Sequence, residues 1–170
     1  MQNLELKAKC SDLLIFRRLA EEIGAIWQWR HAQQDTYFNG DNGKLKLREV
    51  DEKPAELIAY NRPALAQAKI SNYNLVIINE PDQFKKVLSI ALRQTIIVKK
   101  YRDLYLWNNV RIHLDEVQDV GSFVEFEAVI DADNNERISQ DRIDYLVSHF
   151  NIKESDKINI GYYELLESQN

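Results

Sequence analysis

About eight segments of this chain alternate apolar and polar residues with a period of two. In most of them the apolar side is aliphatic and the polar side is charged. They run over 3–9, 25–38, 44–51, 55–62, 72–78, 95–106, 109–117 and 122–130. Asn39-Gly40-Asp41-Asn42-Gly43 is a strong hairpin turn between the second and third of them. Gly121 turns the chain before the last. Such short connections predict antiparallel pairing. Helices are predicted over 12–23, with Ser11 as N-cap and Gly24 as the stop, over 82–94 behind Pro81, and over 136–149. Tyr162, Tyr163, Leu165 and Leu166 suit a last short helix. The class is α+β, and with no linker or internal repeat residues 1–170 read as one domain.

The charges on these strands are sorted by sign. One set is Lys7, Lys46, Arg48, Arg62, Lys100, Arg102 and Arg111; the other is Glu5, Asp115, Glu125 and Glu127. Helices must cover the aliphatic faces, so the charged faces point elsewhere. They face bulk water from an open sheet, or they line the lumen of a closed one. Closing eight strands leaves room inside for side chains or one small ligand. So many cations repel one another, and burying an unpaired ion costs several kcal/mol. A charged lumen must therefore be wet, internally paired, or filled by a polyanion. A triphosphate carrying a divalent cation meets both signs at once. Lys and Arg meet phosphate oxygens, Arg with a two-pronged fork, and carboxylates hold the metal. Oxygen donors favour Mg²⁺ or Mn²⁺ over zinc.

Composition narrows the classes further. A net charge of −5 is unsuited to general nucleic-acid binding, which needs a basic face. The single cysteine, Cys10, excludes an intrachain disulfide and a thiolate zinc site, and reads as a buried, idle thiol. No apolar run reaches the ~18 residues of a membrane helix, and the polar start carries no signal-peptide core, so a reducing, cytoplasmic compartment is expected. His31, His113 and His149 show no metal spacing, although His113 shares a face with Arg111 and Asp115. Tyr37 reads as core within reach of a ligand. Trp27 and Trp29 read first as packing or dimer-contact residues and second as stacking surfaces for a base. Asp131, Asp133 and Glu136 lack the Gly and distal Glu of a calcium loop and read as a helix-start loop.

Several blocks on these strands are familiar as a set. Glu5-Leu6-Lys7 resembles the ExExK signature of the CYTH superfamily, which groups class IV adenylyl cyclases with thiamine and inorganic triphosphatases. The resemblance continues, in the family's order, through Gln34-Asp35-Thr36-Tyr37-Phe38, Leu45-Lys46-Leu47-Arg48 and Val98-Lys99-Lys100-Tyr101-Arg102. It ends with Arg111-Ile112-His113-Leu114-Asp115 and Gly121-Ser122-Phe123-Val124-Glu125-Phe126-Glu127, and covers about 3–130.

This resemblance implies an eight-stranded antiparallel β-barrel, the triphosphate tunnel, with helices packed outside and one or two Mg²⁺ (or Mn²⁺) ions. By position, Glu5, Glu125 and Glu127 correspond to metal ligands, with Asp115 a further one. Lys7, Lys46, Arg48, Arg62, Lys100, Arg102 and Arg111 correspond to phosphate ligands, Arg62 with its register open. Lys7, Arg111 and Asp115 are the candidate catalytic residues. The implied partner is ATP or another small triphosphate, with no nucleic acid and no membrane, and family members can form homodimers. One departure is Asn3, which stands where ExExK has its first Glu. Asn brings a carbonyl oxygen but no charge, which bears on a second metal and on activity itself.

Three functions share this tunnel. A cyclase would convert ATP to cyclic AMP and pyrophosphate by attack of the ribose 3′-hydroxyl on the α-phosphorus. A triphosphatase would bring water to the terminal phosphorus of thiamine, inorganic or nucleoside triphosphate. A non-catalytic module would bind nucleotide or polyphosphate. Tyr162-Tyr163-Glu164-Leu165-Leu166 resembles the class IV cyclase tail and puts the cyclase first.

Overall fold

The computed structural model of the chain describes residues 2–40, 43–61 and 69–169, of which 40, 43, 60–61 and 69–72 are described by backbone alone. Eight strands close into one antiparallel barrel. They are β1 (Gln2–Lys9), β2 (Ile26–Gly40), β3 (Gly43–Val50), β4 (Ala55–Asn61), β5 (Lys69–Ile78), β6 (Gln94–Trp107), β7 (Val110–Val117) and β8 (Gly121–Ile130). Around the barrel the order is β1-β5-β4-β3-β2-β6-β7-β8. Among the described residues four α-helices lie outside or at one end: α1 (Leu13–Glu22), α2 (Pro81–Ala91), α3 (Glu136–His149) and α4 (Tyr162–Glu167). The closed alternative, not the open sheet, is the one adopted.

The outer faces hold the apolar core. Leu4, Ala8, Ile112, Leu114, Val124 and Phe126 point outward from β1, β7 and β8 and pack under α1 and α3, against Phe16, Ile143, Leu146 and Phe150. A second cluster, Phe38, Leu47 and Ala55, lies under Phe84 and Leu88 of α2. Because side chains alternate across a strand, putting these residues outside puts their charged neighbours inside.

Local chemistry sets the boundaries. Asp12, one residue beyond the expected Ser11, caps α1 by accepting from Leu14 N–H at 2.8 Å. The chain leaves α1 through Gly24 at φ +76°, a left-handed turn that glycine adopts without strain. Pro81 opens α2, and Asn135 caps α3 by accepting from Ile138 N–H at 3.0 Å. Asp131 accepts from Asp133 N–H at 2.9 Å and Asn134 N–H at 2.8 Å, so this stretch is the helix-start loop. Cys10 is buried, and burial pushes its thiol up to about 11, which leaves it protonated at neutral pH.

Two details shape the lumen. In β2, Trp27 pairs with Tyr105 and Trp29 with Leu104, so Gln28 is a bulge. The bulge reverses the alternation: Trp27 stays outside, with its indole N–H 3.3 Å from Asp103, while Trp29 turns inward. Near its C-terminal end β1 also receives the returning chain: Ala8 forms an antiparallel bridge with Lys157, and Ile158 N–H donates to the Lys7 carbonyl at 2.9 Å. This contact delivers α4 to the end of the barrel, where Tyr162 and Tyr163 pack on Tyr37, Val98, Val117 and Phe123.

Candidate functional site

The barrel encloses a cavity of about 470 Å³. Its wall carries Glu5, Lys7, Lys46, Arg48, Lys100, Arg102, Arg111, Glu125 and Glu127, so nine of the residues singled out in the sequence converge there. Arg62 lies outside the described residues.

Hairpin registers organise the wall. The turn pairing Gly40 with Gly43 sets Asp35 opposite Arg48, and Trp107 paired with Val110 sets Asp115 opposite Arg102. Each register builds the same clamp, one carboxylate between a lysine and an arginine two residues apart. In the first, Arg48 donates to the two Asp35 oxygens at 2.8 and 3.0 Å, and Lys46 donates at 3.0 Å. In the second, Arg102 donates to both Asp115 oxygens at 2.6 Å, Lys100 at 3.3 Å and the Tyr162 hydroxyl at 2.8 Å. Both carboxylates are buried.

These contacts fix the charge states. Burial alone would raise the Asp35 carboxyl, but Arg48 and Lys46 overcome it and hold the group well below the usual carboxylate range. The same balance, with Arg102 and Lys100 as the cations, holds Asp115 down. Lys100 goes the other way: burial and then the adjacent Arg102 push its ammonium down to about 7, against the pull of Asp115 and Asp35. Burial and Arg102 also hold His113 well below the ordinary histidine value, so this buried ring is neutral at pH 7.

Asp115, expected as a further metal ligand, lies within the second clamp. With both oxygens engaged by Arg102, Lys100 and Tyr162, it anchors the cations. Asp35, which sequence reasoning did not single out, has the matching role. Its signal was present: the Asn-Gly-rich turn fixes the register, and counting back from Gly40 and Gly43 sets Asp35 against Arg48.

The acidic side is built by β1 and β8. Glu5 is the cross-strand partner of Glu127, and Lys7 of Glu125. Glu125 lies 3.0 Å from Arg102 and 3.8 Å from Lys7. Glu127 lies 3.4 Å from Arg111 and 3.6 Å from His113, and accepts from the Asn3 amide. Among the described residues no trio of His, Cys, Asp or Glu forms a ready-made metal cage. Glu5, Glu125 and Glu127 are nonetheless adjacent, oxygen-only donors on one inner face. That chemistry fits a hard divalent ion such as Mg²⁺ or Mn²⁺, which keeps waters and shares its shell with phosphate oxygens.

Tyr162 closes one end. Its ring lies 4.0 Å from Lys7 Nζ and 5.1 Å from Lys100 Nζ, and 4.9 Å from the Phe123 ring. Among the described residues, no helix is long and apolar enough to cross a membrane.

Comparison with known proteins agrees with this geometry. A family model described as CYTH domain matches residues 1–162. A Methanocaldococcus jannaschii protein named "putative adenylate cyclase" is 21% identical over 173 residues, covering 97% of this chain and 98% of that one. A solved Pyrococcus horikoshii structure superposes with a TM-score of 0.86 at 20% identity, covering 96% of this chain and 98% of the other. A Hippeastrum protein, named a "putative adenylyl cyclase" that reveals a dominant triphosphatase activity, superposes with a TM-score of 0.71 at 12% identity over 99% of this chain and 96% of its own.

Proposed function

The chain belongs to the CYTH family, and we propose that it is a divalent-metal-dependent adenylyl cyclase of class IV, converting ATP to cyclic AMP and pyrophosphate. The observation that carries this reading is the pair of buried clamps facing one cavity. Lys46, Arg48, Lys100 and Arg102 are held at fixed positions by two carboxylates. Preorganised cations stabilise phosphate charge without reorganising during the reaction.

In this reading the phosphate chain lies along the clamps. Arg48 and Arg102 meet phosphate oxygens with their outward N–H groups, and Lys7 and Arg111 flank the chain. Glu5, Glu125 and Glu127 would hold the Mg²⁺ or Mn²⁺, which supplies further charge neutralisation on the phosphates and the leaving pyrophosphate. The chain's own task is placement: cyclisation needs the ribose 3′-hydroxyl in line with the α-phosphorus. Tyr162 closes one end of the barrel and limits entry of water there.

A second reading, hydrolysis of the triphosphate, has one specific observation behind it: the Hippeastrum protein of the same fold is named for a dominant triphosphatase activity. The two differ in product. Purified protein with Mg²⁺ or Mn²⁺ is given ATP, thiamine triphosphate or tripolyphosphate, and products are followed by phosphorus NMR. Cyclic AMP with pyrophosphate supports the cyclase, and orthophosphate release replaces it with the triphosphatase. Binding without turnover would leave a nucleotide- or polyphosphate-binding module.

A further inference from the structure

The two ends of the barrel differ in chemistry. At the end closed by α4, aromatic side chains pack on one another. The opposite end is formed by the start of β2, the ends of β3 and β6, and the β4–β5 pairing. There the cavity wall includes Trp29, Val50, Ile58, Leu75 and Leu104, alongside Lys53 and Glu56. On β6 and β3 the step toward this end trades charge for apolar surface: Arg102 is followed on its inner face by Leu104, and Arg48 by Val50, while Glu56 on β4 and Arg111 on β7 keep charge on the wall. Among the described residues, none of the five apolar wall residues belongs to the apolar clusters beneath the helices.

Trp29 is turned inward by the β2 bulge, beside the Leu104 position. Lys53, from the turn after β3, sits with its Nζ 4.2 Å from the Trp29 ring centroid, and the His31 ring lies at 4.7 Å. An indole carrying a cation on its face is a surface another flat, electron-poor group can take over. The cavity, about 470 Å³, lies within the range of sites for drug-sized molecules, roughly 300–1,000 Å³.

We infer that this end is a subsite for a flat organic ring at the head of the phosphate chain, with Trp29 as its stacking surface. The ligand is thus a ring-bearing organic triphosphate rather than an inorganic one. Its phosphates lie inward on the clamps, and its ring displaces the Lys53 ammonium at the mouth. This rests on the triphosphate reading above and adds the direction in which the ligand lies and the residue that reads its head.

The test compares two probes, ATP and inorganic tripolyphosphate, each titrated calorimetrically with Mg²⁺ into the full chain. Base–aromatic stacking predicts that the wild type binds ATP roughly tenfold more tightly than tripolyphosphate. Trp29→Ala should remove most of that advantage while tripolyphosphate affinity stays within about twofold, and Trp29→Phe should restore most of it. Equal affinities in the wild type, or a Trp29→Ala loss shared by both probes, would overturn the subsite while leaving the clamps intact. If tripolyphosphate fails to bind the wild type at all, the triphosphate reading itself falls.

Discussion

Asp35 and Arg48 face each other across the β2–β3 hairpin as a two-pronged ion pair, with hydrogen bonds of 2.8 and 3.0 Å inside the barrel. Lys46 shares the same carboxylate at 3.0 Å. Asp35→Asn would leave two cations on one neutral amide. Breaking one partner of a buried pair costs about 3–5 kcal/mol, and urea unfolding at pH 7 should show a loss of that order. The Asp35 carboxyl is depressed in the fold, so its contribution is complete above the unfolded carboxylate value near 3.9 and is lost as pH falls through the folded value. The gap between variant and wild type should therefore close in strong acid. Tripolyphosphate should stabilise the variant more than the wild type, because it supplies the missing negative charge. A variant as stable as wild type at pH 7 would show that the clamp does not hold these cations.

Lys100 makes ligand binding depend on protons. Arg102 beside it, Arg48 on β3, Asp35 on β2, Asp115 on β7 and the Tyr162 ring on α4 surround it, and its ammonium sits at about 7. Near neutral pH the ligand-free protein therefore holds Lys100 partly uncharged. A bound polyanion favours the charged form and raises that value, so binding takes up a fraction of a proton. Calorimetry at pH 7.5 in two buffers of different ionisation heat should show this uptake, which vanishes near pH 5.5 where Lys100 is already charged. Affinity should fall as pH rises from 7 to 9. Lys100→Arg should abolish the uptake, since arginine stays charged throughout this range. Identical uptake in Lys100→Arg would assign the proton to another group.

Glu5 separates metal binding from folding. It lies on the inner face of β1 opposite Glu127, partly buried at a polar cavity wall. Glu5→Gln keeps the shape and removes the charge. Mn²⁺ binding in the presence of tripolyphosphate, read by electron paramagnetic resonance, should weaken at least about tenfold, because the cation has few protein ligands to lose. The unfolding midpoint should barely move. Unchanged Mn²⁺ affinity would remove Glu5 from the metal set.

Much of this site was legible because strand alternation maps sequence parity onto inside and outside. Once Leu45 and Leu47 are placed outward, Lys46 and Arg48 have one direction left, and the same holds for Arg111 between Val110 and Ile112. Hidden from that rule were features set by register and irregularity. Parity cannot say that Asp115 meets Arg102, because that depends on the β6–β7 pairing. Nor can it separate Trp27 from Trp29, which share parity until the Gln28 bulge splits them. Parity puts His113 on the face of Arg111 and Asp115 but does not show that it is buried, which follows from closure of the barrel over it.

Tyr162 links the last helix to the second clamp, and its ring and hydroxyl have separable roles. The ring packs on Phe123 at 4.9 Å and lies 4.0 Å from Lys7 Nζ; the hydroxyl donates to Asp115 at 2.8 Å. Tyr162→Phe keeps the ring and removes one of four donors from a carboxylate that retains Arg102 and Lys100. The expected loss of stability is about 1 kcal/mol, the net worth of one hydrogen bond, with triphosphate affinity nearly unchanged. Tyr162→Ala removes the plug as well, exposing Phe123 and Val98 at the barrel end, and should cost about 3–5 kcal/mol. Amide hydrogen exchange gives an independent reading: Tyr162→Ala should deprotect the residues of α4 and the Ile158–Lys7 contact, while Tyr162→Phe leaves both protected. Equal losses in the two variants would mean that the hydroxyl, and not the ring, fastens the helix to the barrel.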